Sequence, residues 1–174
     1  MVNISSLREG DVLLYKATSF FGYAISLKTW SSVSHVEVYD GYEFSIASRD
    51  GQGVKRYPLR TDDLTHVLRP TVPFDRDKAD LWLNLHDTEP YGFLDLGAFF
   101  KIPVDGPGQI CSTCATNVLR AAGVPVFNDF PALQISPRDF LVSELLTDVT
   151  AVVTCSADVS TSAASGGSGL APAA

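Results

Sequence analysis

Ser34-His35-Val36-Glu37-Val38-Tyr39-Asp40-Gly41 is the stretch on which the reading of this chain turns. Strand alternation puts His35, Glu37 and Tyr39 on one face, with Val36 and Val38 on the other. The valines supply an apolar face to bury, and the histidine face is left free to meet the helix that carries the downstream cysteine. Asp40-Gly41 signals a two-residue hairpin turn. Phe44 to Ser48 then returns as the next strand, pairing Tyr39 with Tyr42, Glu37 with Phe44 and His35 with Ile46. A histidine in a strand is more often structural than catalytic. Its weight here comes from a cysteine far downstream, in Gln109-Ile110-Cys111-Ser112, behind the breaker Asp105-Gly106-Pro107-Gly108.

A thiol is a useful nucleophile only when something removes its proton, and a histidine or the positive end of a helix does so. The spacing predicts a helix over 111–122, stopped by Gly123. On its wheel Cys111, Cys114, Ala115, Val118 and Ala122 form one stripe, with Thr113, Asn117 and Arg120 opposite. Cys111 falls in the first turn, where unpaired N–H groups and the helix dipole favour a thiolate. The backbone of Cys111 and Ser112 is the expected oxyanion site. Cys114 lies a turn deeper among small apolar side chains, where a thiol stays protonated. A Cys-x-x-Cys redox pair is expected earlier in a fold than this, and a structural zinc site normally needs four ligands. His66 and His86 stand alone and Cys155 borders the tail, so no metal site is expected.

Outward from these two pieces, Asp11 to Tyr15 reads as a first strand, and Ser19 to Trp30 as an amphipathic helix capped by Ser19. Val54 to Leu59 and His66 to Leu68 are further strands. Asp75 to His86 is a helix ended by Pro90, and Tyr91 to Phe100 a short one. Ser136-Pro137-Arg138-Asp139 has a capping serine, a proline at the first helical position and an acid at the third, and predicts a helix running to Leu146. Val149 to Val153 is the expected closing strand. From Ser156 the chain is serine, alanine and glycine, too poor in apolar side chains to bury a core. The class is α+β: one domain over 1–155 and a disordered tail over 156–174.

The bulk numbers exclude several functions. One domain of 174 residues can bury about two thirds of its unfolded surface. The net charge of -7, without a basic cluster, argues against nucleic acid as a partner. No stretch approaches the roughly 18 apolar residues of a membrane span. The start, Met1-Val2-Asn3-Ile4-Ser5-Ser6, is not a secretion signal, so a cytoplasmic or virion-associated protein is expected. Three cysteines in such a chain read as reduced thiols.

Four pieces in order carry a resemblance: Glu9-Gly10-Asp11-Val12-Leu13-Leu14, Ser34 to Gly41, Ile46-Ala47-Ser48 before Gly53-Val54, and Ile110-Cys111-Ser112 leading to Gly123. Together they resemble the NlpC-type cysteine hydrolases in their circularly permuted form, with YiiX-like and lecithin:retinol acyltransferase-like branches. The resemblance implies a permuted papain-like fold, an antiparallel sheet packed against a nucleophile-bearing helix. It implies Cys111 as nucleophile, His35 as base and no cofactor. The implied reaction is cleavage of amide bonds in peptides, isopeptides or peptidoglycan, or of acyl bonds. Similar sequences occur in tailed phages, which implies virion proteins as partners if the chain is phage-encoded.

Two departures stand out. The family's third polar residue falls at Ile46, and Glu37 stands where a small residue is usual. Either Glu37 orients His35 from the same strand, or the triad is incomplete; Ser48 is the other candidate, and Tyr39 a possible substrate contact. Three readings follow: a cysteine peptidase or amidase acting on a peptide or acyl substrate, a lipid acyltransferase or hydrolase of the same fold, and a non-catalytic binding or virion structural module.

Overall fold

The computed structural model describes residues 2–17, 31–92 and 108–155. Its centre is a six-stranded antiparallel sheet built from β1 (Val12–Lys16), β2 (Val33–Gly41), β3 (Phe44–Arg49), β4 (Gly53–Pro58), β5 (Leu64–Pro70) and β6 (Leu146–Asp148), in the spatial order β4-β3-β2-β1-β5-β6. Three α-helices accompany it among the described residues: α1 (Arg76–His86), α2 (Cys111–Ala121) and α3 (Thr150–Cys155). The class is α+β, as expected. None of these helices is long and apolar enough to cross a membrane. The expected helix over 19–30, most of the expected helix over 91–100 and the tail over 156–174 lie outside the described residues.

Two apolar layers sandwich the sheet. Val12, Leu14, Val36, Val38, Ile46 and Val54 face α2 and α1, burying Cys114, Ala115, Val118 and Leu119 from one helix and Ala79 and Leu83 from the other. Leu13, Tyr15, Tyr39 and Val67 point the opposite way, onto Leu7 and Val153. The valines of β2 therefore receive the cysteine helix, correcting the expectation that the histidine face would do so. Period-2 alternation made both assignments available; the apolar stripe of α2 selects the apolar face.

The hairpin register also differs from expectation. The turn is Tyr42-Glu43, both residues with positive φ (48° and 66°), and the pairs are Gly41–Phe44, Tyr39–Ser45 and Val38–Ile46. Asp40 is held out of the turn by Arg56, and the Tyr39 hydroxyl accepts the Glu43 N–H. Gly41 stays in the strand at φ 90°, where a Cβ would meet Glu9 Oε1 at 2.8 Å. The shift is an odd number of residues, so every side chain of β3 changes face. Ile46 turns into the core beside Val38, while Ser45 and Arg49 come to the histidine face.

Two C-terminal expectations are corrected as well. Asp139 accepts from the Ser136 N–H and hydroxyl, both at 2.7 Å, but only a 3-10 turn, Asp139–Val142, follows. The chain leaves it to pair Leu146–Asp148 with the open edge of β5. Val149 to Val153 is not the closing strand. Asp148 Oδ1 accepts the Thr150 N–H and starts α3, which buries Val153 behind the sheet.

Candidate active site

The site lies where two neighbouring strands part. β2 pairs with β1 from Val33 to Val38, but with β3 only between Val38 and Gly41. Beyond that point the inner N–H groups of β2 have no strand partner on the β3 side, and the start of α2 fills the opening. The Val36 N–H donates to the Cys111 sulfur, and the Ser48 hydroxyl on β3 donates to the Gln109 carbonyl at 2.5 Å. A bridge between Tyr91 and Gln109 holds the approach to the helix. It depends on Gly108 at φ 119°, where a Cβ would sit 2.3 Å from the Pro90 carbonyl oxygen.

Cys111 is the first residue of α2 and is 2% exposed. Ile110 occupies the N-cap without a side-chain cap, so the first-turn N–H groups remain available to an anion. Burial pushes the Cys111 thiol up. The His35 charge and hydrogen bonds from His35, Val36 and Ser112 outweigh it and bring the thiol below its ordinary value. Cys114 shows what burial does unopposed: its thiol is pushed well up, and the negative charge of Cys111 adds to the effect. The two thiols move in opposite directions because His35 acts on Cys111 while burial dominates at Cys114.

His35 shows the reciprocal effect. Burial disfavours its charged form, yet Cys111 and Glu37 together raise it to about 9. Its Nε2 lies 3.0 Å from Glu37 Oε1, which leaves Nδ1 as the nitrogen available to the thiol. Glu37 is fully buried and saturated. Oε1 accepts from His35 and from Arg49 Nε at 3.0 Å; Oε2 accepts from Ser45 Oγ at 2.5 Å and Arg49 Nη2 at 3.1 Å. Burial would raise its carboxyl, but hydrogen bonding and charge from His35 and Arg49 hold it at about 2. Glu37 is therefore an anion fixed in one orientation against the imidazole.

The remaining expected residues fall elsewhere. Ser48 is engaged by Gln109 and fastens the cysteine loop to β3. Tyr39 lies under the hairpin turn. The Ser112 N–H, expected to meet an oxyanion, points at the sulfur. His66 pairs with Asp148 at 3.2 Å and His86 stacks on Trp82 with ring centres 4.2 Å apart; neither belongs to the site. Among the described residues no cluster of His, Cys, Asp or Glu could hold a metal ion.

Sequence reading missed four neighbours. Arg49 and Ser45 become visible once the register of β3 is known, because alternation then puts them beside Glu37. Arg60, whose Nε is 3.4 Å from Glu37 Oε1, comes from the loop after β4, which has no period to read. Tyr91, expected at a helix start, is buried beside Cys111, and burial followed by the Cys111 charge raises its hydroxyl. A buried thiol, an imidazole with one nitrogen fixed and a saturated carboxylate can together hold a thiolate–imidazolium pair, attack a carbonyl carbon and deliver a proton. No protein-family model and no curated protein matches this chain.

Proposed function

We propose that this chain is a cysteine hydrolase of the circularly permuted, papain-like NlpC type, cleaving amide bonds in a peptide, isopeptide or peptidoglycan substrate. The observation that carries the reading is the chain of contacts from Glu37 through His35 to Cys111, which lowers the thiol against the effect of its own burial. In the reaction, the Cys111 thiolate bonds to the carbonyl carbon, and the charge developing on oxygen meets N–H groups at the start of α2. The imidazolium of His35 gives its proton to the departing nitrogen as the C–N bond breaks. Water then attacks the thioester while His35 takes its proton, and the C–S bond breaks to release a carboxylate. Glu37 stays ionised and stabilises the imidazolium in both halves.

The order of residues, base on β2 and nucleophile downstream, supports the permuted arrangement. The saturated Glu37 weighs against a non-catalytic module, because a vestigial site has no need to hold a buried carboxylate ionised beside a histidine. The lipid acyltransferase reading uses the same acyl-enzyme and differs in the acceptor. The test is to incubate wild type and Cys111→Ala with purified peptidoglycan fragments, with isopeptide-linked dipeptides and with an acyl ester lipid. Acid quenching and intact-mass measurement would capture the acyl-enzyme. An adduct on Cys111 and release of a new amine from an amide substrate are expected. Turnover of the ester lipid alone would transfer the assignment to the acyltransferase branch. No adduct with any substrate, together with a Cys111 no more reactive than free cysteine, would sink the enzyme reading.

A further inference from the structure

Resting on the hydrolase reading, we infer that Arg60 is the reading head of a carboxylate subsite on the leaving-group side of His35. The substrates would then be those whose departing amine carries a nearby carboxylate: an amino acid, or a short peptide with a free C-terminus. The argument begins with hydrogen-bonding capacity. A carboxylate offers about four acceptor positions, and those of Glu37 are taken by His35, Ser45 and two donors of Arg49. Arg60 is drawn close, its Nε 3.4 Å from Oε1, but that nitrogen is buried and hydrogen-bonded to nothing. Of the two acids next along its loop, Asp62 and Asp63, Asp63 is taken by Lys16 at 3.0 Å.

Charge counting points the same way. The Cys111–His35 pair is neutral as a whole, and one carboxylate faces two guanidinium groups. Beside Glu37 the guanidinium groups outnumber the carboxylate, while Glu89 and Asp50 add negative charge towards Cys114 and Tyr91. The Arg60 side chain is 35% exposed, so part of it is open to a ligand. It is also aimed. Its guanidinium lies over the Tyr15 ring, 4.2 Å from the centre, and the Tyr15 hydroxyl donates to the Arg60 carbonyl at 3.1 Å. A planar fork held flat on an aromatic ring loses little freedom when it receives a carboxylate.

Direction follows from the chemistry. The imidazole must face the departing nitrogen to protonate it, so groups beyond the ring from Cys111 meet the departing half of the substrate. Glu37 occupies that side through Nε2, and Arg60 lies against Glu37.

The test uses two epoxysuccinyl dipeptide probes, identical except that one ends in a free carboxylate and the other in a carboxamide. The dipeptide arm extends to the leaving-group side. Rates of Cys111 alkylation are read by mass spectrometry on the full chain. Wild type should favour the acid probe about tenfold, as expected for a charge-assisted bidentate contact, and added salt should narrow the ratio. Arg60→Met should bring the ratio close to one, and Arg60→Lys should restore part of it. Equal wild-type rates with both probes on Cys111 would overturn the subsite and leave the hydrolase reading standing. A wild-type preference that survives Arg60→Met would overturn it too, because the carboxylate would then be read elsewhere. If neither probe nor iodoacetamide selects Cys111, the hydrolase reading fails and takes the subsite with it.

Discussion

Replacing Glu37 by glutamine removes the charge and turns one oxygen that accepts two hydrogen bonds into a donor, which makes it the sharpest perturbation of the site. The glutamine carbonyl can still accept from His35 Nε2, so the ring keeps its orientation. What disappears is the anion that offsets the imidazolium and two guanidinium groups. The structure sets the scale. A carboxyl held at about 2 instead of 4.5 is stabilised in its charged form by on the order of 3 kcal/mol. That figure matches the roughly 3–5 kcal/mol expected for unpairing a buried ion pair. The variant should melt well below wild type. His35 should fall from about 9 towards its ordinary value, and the Cys111 thiol should rise with it. Turnover should drop by about 10²-fold or more, the cost of losing a base's partner, with a smaller change in KM. The assay is the rate of Cys111 alkylation by iodoacetamide across pH, beside a thermal melt. A folded Glu37→Gln whose alkylation profile superimposes on that of wild type would refute the reasoning. Should the variant not fold, Ser45→Ala removes one 2.5 Å donor from the same carboxylate and should move the profile in the same direction by less.

Four further outcomes follow from the same contacts. In wild type, Cys111 should alkylate below the pH of ordinary thiols and rise again as His35 loses its proton near 9, with Cys114 unmodified; modification of Cys114 or Cys155 first in the folded protein would remove the nucleophile assignment. The Glu37 carboxyl is depressed on folding, so its contribution to stability is complete above about 4.5 and lost as pH falls through about 2; acid unfolding followed by circular dichroism should be less steep in that window for Glu37→Gln. Ser48→Ala should cost about 1 kcal/mol through the lost bond to Gln109 and leave the alkylation profile in place, whereas a displaced profile would make Ser48 part of the base. Gly108→Ala meets the Pro90 carbonyl oxygen from a left-handed backbone and should lower both melting temperature and Cys111 reactivity; a neutral effect would show that the Tyr91–Gln109 bridge does not position the helix.

What was legible in the sequence was local. Alternation along 34–41 and the helical stripe from Cys111 each depend on neighbours within a few residues, and both elements form as read. The difference between Cys111 and Cys114 was readable only in part, because both thiols are buried and it is His35 that sets them apart. The hairpin register was not readable. Asp40-Gly41 is a good turn on its own, but Asp40 is claimed by Arg56 from β4, and no local rule anticipates that. The C-terminal errors share this cause: residues 146–148 are drawn to the free edge of β5, and the β-branched run that follows becomes a helix because Val153 has a pocket behind the sheet.

The register error bears directly on the site. With His35 opposite Ile46, the imidazole has an apolar cross-strand neighbour and the candidate triad lacks a third member. The odd shift removes Ile46 to the core and gives Glu37 its ring of donors, so a third polar group stands beside the imidazole. His35 and Glu37 lie two residues apart on one strand, so the 3.0 Å contact between them is fixed by local backbone geometry and needs no distant element to form. Distant elements supply the rest: Arg49 and Ser45 from β3, Arg60 from the loop after β4, and Cys111 from α2. Changes in the hairpin turn should therefore alter how strongly Glu37 is held ionised, through Ser45 and Arg49, before they alter where it points. Such variants should shift the pH dependence of Cys111 before they abolish its reactivity, and a turn variant that loses reactivity with an unshifted profile would contradict this order of events.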